Sequence, residues 1–172
     1  MASGYYGEEQ GRIDNGSEFY ISLGGGLSAV AAPSLFEDTQ AGVGAELTIG
    51  SKRDWLAGEL TLQGATFSSP DNGLDAMSMF GAHADIKLQP SFFVLEPFLS
   101  VGVGVQALDY DVNQSAALGG SVRLGAGADI RVGDFAVTGQ YVHSIHGFAA
   151  DAGSDDGAGQ SDLVSAGIKL YF

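Results

Sequence analysis

Eight stretches of this chain alternate apolar and polar residues with a period of two, and in all eight the apolar face is free of Asp, Glu, Lys and Arg. A period of two is the signature of a β-strand, whose successive side chains point to opposite faces. From Glu18, the residues Phe19, Ile21, Leu23, Leu27 and Ala29 oppose Glu18, Tyr20, Ser22, Gly24, Gly26 and Ser28. Between Gln40 and Ser51, Ala41, Val43, Ala45, Leu47 and Ile49 oppose Gly42, Gly44, Glu46, Thr48 and Gly50. Leu56, Leu60 and Leu62 then oppose Glu59, Thr61 and Gln63, and Phe80, Ala82, Ala84, Ile86 and Leu88 oppose His83, Asp85, Lys87 and Gln89. The fifth stretch sets Phe93, Leu95, Pro97, Leu99, Val101, Val103 and Val105 against Glu96, Phe98, Ser100 and Gln106. The sixth sets Leu118, Val122, Leu124, Ala126, Ala128, Ile130 and Val132 against Ser121, Arg123, Asp129 and Arg131. Phe135, Val137 and Tyr141 oppose Thr138 and Gln140, and Val164, Ala166, Ile168, Leu170 and Phe172 oppose Ser165, Lys169 and Tyr171.

The placement of charge decides which solvent these strands face. Besides Glu18 at the start of the first stretch, the polar face carries Glu46, Glu59, Asp85, Lys87, Glu96, Arg123, Asp129, Arg131 and Lys169. A small soluble barrel keeps its apolar face inside and its charges outside. An apolar face in contact with the surroundings and a polar lumen belong to a barrel whose solvent is lipid. Strands of about ten residues are also long enough to cross a bilayer at a tilt. Short connections at Ser51–Asp54, Gln89–Phe92 and Val132–Asp134 alternate with longer ones around Ala32–Gln40, Ser68–Asp75, Asp109–Ser115 and Gly147–Ser161. Short turns belong on the periplasmic side and long loops outside, so an even strand number brings both termini to the periplasm. The expected fold class is therefore all-β, an eight-stranded antiparallel up-and-down transmembrane β-barrel over residues 18–172. Residues 1–17 are expected to form a flexible periplasmic segment.

Composition supports this reading by exclusion. The chain has 172 residues, enough for one domain, with 45% hydrophobic residues, 16% charged residues and 27 glycines. Gly interrupts nearly every apolar run, and each one costs about 1 kcal/mol relative to Ala inside a helix. No apolar run reaches the roughly 20 residues of a helical span. Without Cys there is no disulfide framework and no thiolate chemistry. Seven Lys and Arg against 21 Asp and Glu give a formal charge of −14, which excludes the basic footprint that nucleic acid requires. The N-terminal residues have neither a basic nor an apolar region of an export signal, so we expect the chain to be shown here without that signal.

The terminal segment Leu163-Val-Ser-Ala-Gly-Ile-Lys-Leu-Tyr-Phe172 and the stretch Leu95-Glu-Pro-Phe-Leu-Ser-Val-Gly-Val-Gly104 resemble the small outer-membrane β-barrels similar to the transmembrane domain of outer membrane protein A and its porin-like relatives. The resemblance covers Glu18 to Phe172. It implies a Gram-negative cell envelope, outer-membrane lipids and lipopolysaccharide as surroundings, and insertion by the barrel-assembly machinery. The final aromatic strand is the signal that this machinery reads, which Tyr171 and Phe172 would supply. The peptidoglycan-binding domain that many relatives carry is absent from this stretch.

The lumen is where the polar chemistry collects. Eight strands enclose only enough room for side chains, so Lys87, Arg123, Arg131 and Lys169 are each expected to pair with an acid. Counting from the short turns puts Lys87, Glu96, Glu59, Arg131, Asp129 and Lys169 near the periplasmic end, and Glu46, Asp85, His83 and Arg123 nearer the middle. We expect two layers of ion pairs that plug the lumen, with Lys87 bridging to Glu59 or Glu96. Lumen glycines are expected to seat the rings of Tyr20, Trp55, Phe98 and Tyr171.

Some barrels of this size are lipid A deacylases or acyltransferases that use a His and a Ser. Here His143 and Ser144 are adjacent, and adjacent residues on a strand face opposite ways, so they do not form that pair. His143 and His146, with Asp151, Asp155 and Asp156, have donor types that suit a divalent cation, but their spacing matches no defined loop. The favoured expectation is a non-enzymatic barrel with no cofactor and no metal. It would have a structural or adhesive role and acidic loops that bind surface ligands weakly, in a salt-dependent way. A narrow channel, an outer-leaflet lipid A-modifying enzyme and a soluble lipocalin-like binder are the alternatives.

Overall fold

The computed structural model describes residues 16–31, 39–68, 76–109, 116–149 and 157–172. The eight strands are β1 (Glu18–Ala31), β2 (Gln40–Arg53), β3 (Leu56–Ser68), β4 (Ala76–Leu88), β5 (Leu95–Asp109), β6 (Ala116–Val132), β7 (Phe135–Ala149) and β8 (Gly157–Tyr171). Each pairs antiparallel with its neighbours in sequence, and β8 returns to β1 through partners running from Tyr20–Tyr171 to Ala31–Gln160. The sheet closes without an edge. Closure satisfies the backbone N–H and C=O groups between strands, which a structure surrounded by hydrocarbon requires.

From the short-turn end to the middle of the barrel, the outward face is apolar and the inward face polar, as the charge placement demands. Leu60, Ile86, Val101, Val103, Leu124 and Ile168 all point outward and are about half or more exposed, while every lumen charge but Arg131 is buried. Phe19, Trp55, Phe92, Phe135 and Phe172 ring the short-turn end with exposed aromatic side chains. Such a ring marks the boundary between hydrocarbon and water. Pro97 has no N–H to donate. It sits on β5 beyond the point where β4 ends at Leu88, so its missing donor costs the β4–β5 ladder nothing.

The strands run 13 to 17 residues, longer than the ten or so expected, and most of the excess lies at the long-loop end. β3 continues past Gln63 to Ser68, β4 begins at Ala76 rather than Phe80, β7 continues to Ala149, and β8 begins at Gly157 rather than Val164. β5 begins at Leu95. Phe93, expected on its apolar face, instead lies in a tight turn closed by the Phe92–Leu95 hydrogen bonds, fully exposed and with a φ of 58°. Gly133 turns β6 into β7 at a φ of 63°, a left-handed conformation that a residue without Cβ adopts freely. The expected N-terminal segment up to residue 15 and most of the four long loops, with Asp151, Asp155 and Asp156, lie outside the described residues.

Two of the four ring placements depend on bare backbone. The Tyr20 ring lies over Gly50 and the Phe98 ring over Gly127, so closely that a Cβ at either glycine would collide with the ring. Tyr171 instead packs against Tyr20, with ring centroids 5.2 Å apart. Trp55 is not in the lumen. It belongs to the β2–β3 turn and is 60% exposed, because β2 runs on through Arg53 and places Lys52, not the turn, against the interior.

Candidate functional site in the barrel lumen

The lumen is built in three tiers. At the periplasmic end, the strand termini of β2, β4 and β5 and residues of β3, β6 and β8 bring six charges and a glutamine together. Lys52 Nζ lies 2.7 Å from Glu96 Oε2, and Lys169 Nζ lies 2.6 Å from Asp129 Oδ2. Gln89 is fully buried between these pairs, and its Nε2 donates to Glu96 at 2.9 Å and to Asp129 at 2.8 Å. Lys87 Nζ contacts Glu59 Oε1 at 2.7 Å, and the same oxygen accepts from the Tyr20 hydroxyl at 2.5 Å. Aromatic faces hold the ammonium groups from the other side: Lys87 stands 4.0 Å from the Phe98 ring centroid and Lys169 stands 4.5 Å from that of Tyr20. At the rim, Arg131 makes a two-pronged contact with Glu18 at 2.7 and 2.9 Å and stacks on Tyr171.

The middle tier is a fork. Arg123 donates from Nε to Asp85 Oδ1 at 2.5 Å and from Nη2 to Asp85 Oδ2, and Nη2 also donates to Thr61 at 3.0 Å. Glu46 sits beside this pair without a cation of its own among the described residues, held by Gln140 Nε2 at 2.5 Å and the Ser165 hydroxyl at 2.8 Å. The void left between these groups is about 10 Å³, at the lower limit for one water. Above lie the pairs His83–Gln106 at 3.1 Å and His146–Ser161 at 2.8 Å.

The outer tier is apolar. Val30, Ala65, Phe67, Met77, Met79 and Leu108 form one buried cluster where β1, β3, β4 and β5 reach the long-loop end, and all face inward. Charged groups in such confinement need partners, because desolvation of a lone charge costs several kcal/mol. Apolar side chains need only fill space. Among the described residues the three tiers fill the lumen with side chains.

The structure places all nine charges named from the sequence in or at the mouth of the lumen. Lys87 joins Glu59, Lys169 joins Asp129, Arg123 joins Asp85, and Arg131 joins Glu18 at the rim. Glu96 pairs with Lys52, a residue that sequence reasoning assigned to a turn. Tyr171 points into the lumen, and Phe172 follows the strand outward, with its N–H donating to Phe19 O at 2.8 Å. His143 and His146 point to opposite faces, so they do not share a cation. The apolar tier was not anticipated. Its signal was the alternation of Ala65 with Phe67 and of Met77 with Met79, which continues the inward register of β3 and β4 beyond the expected strand ends.

No protein-family model and no curated protein matches the chain. Solved structures do. The chain is similar to Neisserial surface protein A (NspA) at 12% identity, with 91% of this chain and 99% of that one covered and a TM-score of 0.71. A major outer membrane protein from Thermus thermophilus matches at 12% identity over 91% and 100% of the two chains, with a TM-score of 0.58. The fold is that of the small outer-membrane barrels. The outer membrane enzyme PagL shares it as well, at 16% identity over 88% of this chain and 98% of that one, with a TM-score of 0.55. Surface proteins and an enzyme thus use one architecture, and the architecture alone assigns no activity.

Proposed function

We propose that this outer-membrane barrel is non-enzymatic, a rigid body that supports the envelope and carries its long loops as a surface for weak interactions. The observation that carries the reading is the filled lumen. Buried ion pairs occupy its lower half and a packed apolar cluster its outer end, which suits a scaffold better than a conduit. Its surroundings would be outer-membrane lipids and lipopolysaccharide, and Tyr171 and Phe172 would present the final strand to the barrel-assembly machinery. The acidic balance of the chain favours cationic or cation-bridged surface partners, whose attraction fades as salt shortens the Debye length to about 8–10 Å.

Deleting the gene in its host tests this reading. Loss of the protein is expected to raise sensitivity to detergent or to weaken surface attachment, with the mass profile of lipid A unchanged. A shift in lipid A acylation would make the protein an enzyme, and loss of small-solute uptake would make it a channel.

A further inference from the structure

A cluster of hydrogen-bonded polar side chains lies on the outward face of β7 and β8. Asp162 on β8 and His143 on β7 are register partners that both face outward, and Tyr141, two residues along the same face of β7, joins them. His143 Nδ1 lies 2.9 Å from Asp162 Oδ1, and the Tyr141 hydroxyl donates to that same oxygen at 2.6 Å. All three side chains are partly exposed on the lipid side. Ionisable groups on a lipid face are costly and mark function by default.

Depth gives the first clue to what the cluster meets. His143 is eight residues along β7 from Phe135, which belongs to the periplasmic aromatic ring. At a rise of about 3.4 Å per residue and a tilt of about 40°, that is about 20 Å up an apolar band about 25 Å tall. The cluster therefore lies near the outer edge of the hydrocarbon, where acyl chains join their headgroups. The second clue is a groove beside it of about 440 Å³, walled by Leu99, Leu124, Ala126, Tyr141 and His143. It is open to lipid because Ala126 stands between larger neighbours, and its shape and lining suit an acyl chain.

The third clue is the hydrogen-bonding polarity. A carboxylate only accepts, so His143 Nδ1 and the Tyr141 hydroxyl spend their protons on Asp162 Oδ1. Among the described residues no side chain occupies Asp162 Oδ2, and a carboxylate oxygen is an acceptor. The groove is thus flanked by a carboxylate oxygen open to a donor. Ester-linked phospholipids offer only carbonyl and ester oxygens at this depth, whereas lipids with hydroxylated or amide-linked acyl chains offer O–H and N–H.

We propose that the Tyr141–His143–Asp162 cluster and the adjoining groove bind an outer-leaflet glycolipid of the lipid A type, with an acyl chain in the groove and its hydroxyl or amide N–H donating to Asp162. The site rests on the membrane placement of the barrel and is independent of the plugged lumen.

Native mass spectrometry of the refolded protein tests it, with lipid A and phosphatidylglycerol supplied at equal mole ratio. The unaltered protein is expected to retain lipid A several-fold over phosphatidylglycerol. Asp162→Asn, which exchanges an acceptor for a donor, should lower lipid A retention about tenfold, as expected for one charge-assisted hydrogen bond. Ala126→Phe, which fills the groove beside its register partner Tyr141 and leaves Asp162 in place, should lower it as well. Both changes lie on the barrel surface, and heat-modifiability on gels checks that each variant is folded. Equal retention of the two lipids by the unaltered protein would overturn the proposal. So would undiminished lipid A retention in both folded variants, or the release of free fatty acid, which would mean hydrolysis rather than binding.

Discussion

The two ends of the lumen are filled by opposite means. The periplasmic half holds Lys52, Glu59, Lys87, Glu96, Asp129 and Lys169 in a web of contacts between 2.6 and 2.9 Å, threaded by Gln89. The outer end holds Val30, Phe67, Met77, Met79 and Leu108, with no charge among them. Both sets sit on the same inward register of the same sheet. The difference teaches that this interior needs to be full rather than polar. Ion pairs make the lower half specific, because each charge requires a particular partner, whereas the outer half tolerates any side chain of suitable volume.

Breaking one pair should therefore have the largest effect. Lys87→Met strands the Glu59 carboxylate in a buried site and is expected to cost about 3–5 kcal/mol in urea unfolding from lipid vesicles. Adding Glu59→Gln should recover much of that loss, and a double-mutant cycle measures how much. No recovery would mean that Lys87 acts through its stacking on Phe98 rather than through its pairing.

The next effect sets inside against outside. Leu60 follows Glu59 on β3 but faces lipid, 66% exposed and within the apolar band. Leu60→Arg is expected to cost about 2–4 kcal/mol, although the barrel accommodates Lys87 within the same layer of the lumen. Little change would reverse the register, since a slip of one residue exchanges the two faces.

In the outer half the effects shrink. Phe67→Leu keeps most of the volume and is expected to cost about 1 kcal/mol by the same unfolding measurement. The smallest expected change is in ion flow: Phe67→Ala with Met79→Ala empties part of the outer tier but leaves the ion pairs beneath it, so bilayer conductance should not rise. If it rises, the apolar cluster is the seal and the ion pairs are not.

The contrast also explains how much could be read from the sequence. The lipid-facing stripe and nine lumen charges were legible, because an apolar face without charge opposite a charged face fixes both register and solvent. Counting along adjacent strands left Glu59 and Glu96 as partners for Lys87, and the structure pairs it with Glu59 because Lys52 takes Glu96. Lys52 and the bridging role of Gln89 were hidden because both residues stand at strand ends among turn-forming neighbours, Arg53 and Asp54 in one case and Pro90 in the other. Trp55 was misplaced for the same reason. The apolar tier escaped because the alternation reverses there: Phe67, Met77 and Met79 face inward, while Thr66 and Ser78 face outward. Asp162 escaped because its partners are on another strand, and its side chain gains meaning only from the β7–β8 register.

The central claim is that the lumen is closed, and single-channel recording in planar bilayers tests it most directly. The account predicts at most small, irregular current events from the unaltered protein across a range of voltages and salt. Steady conductance on the scale of a general porin would contradict it.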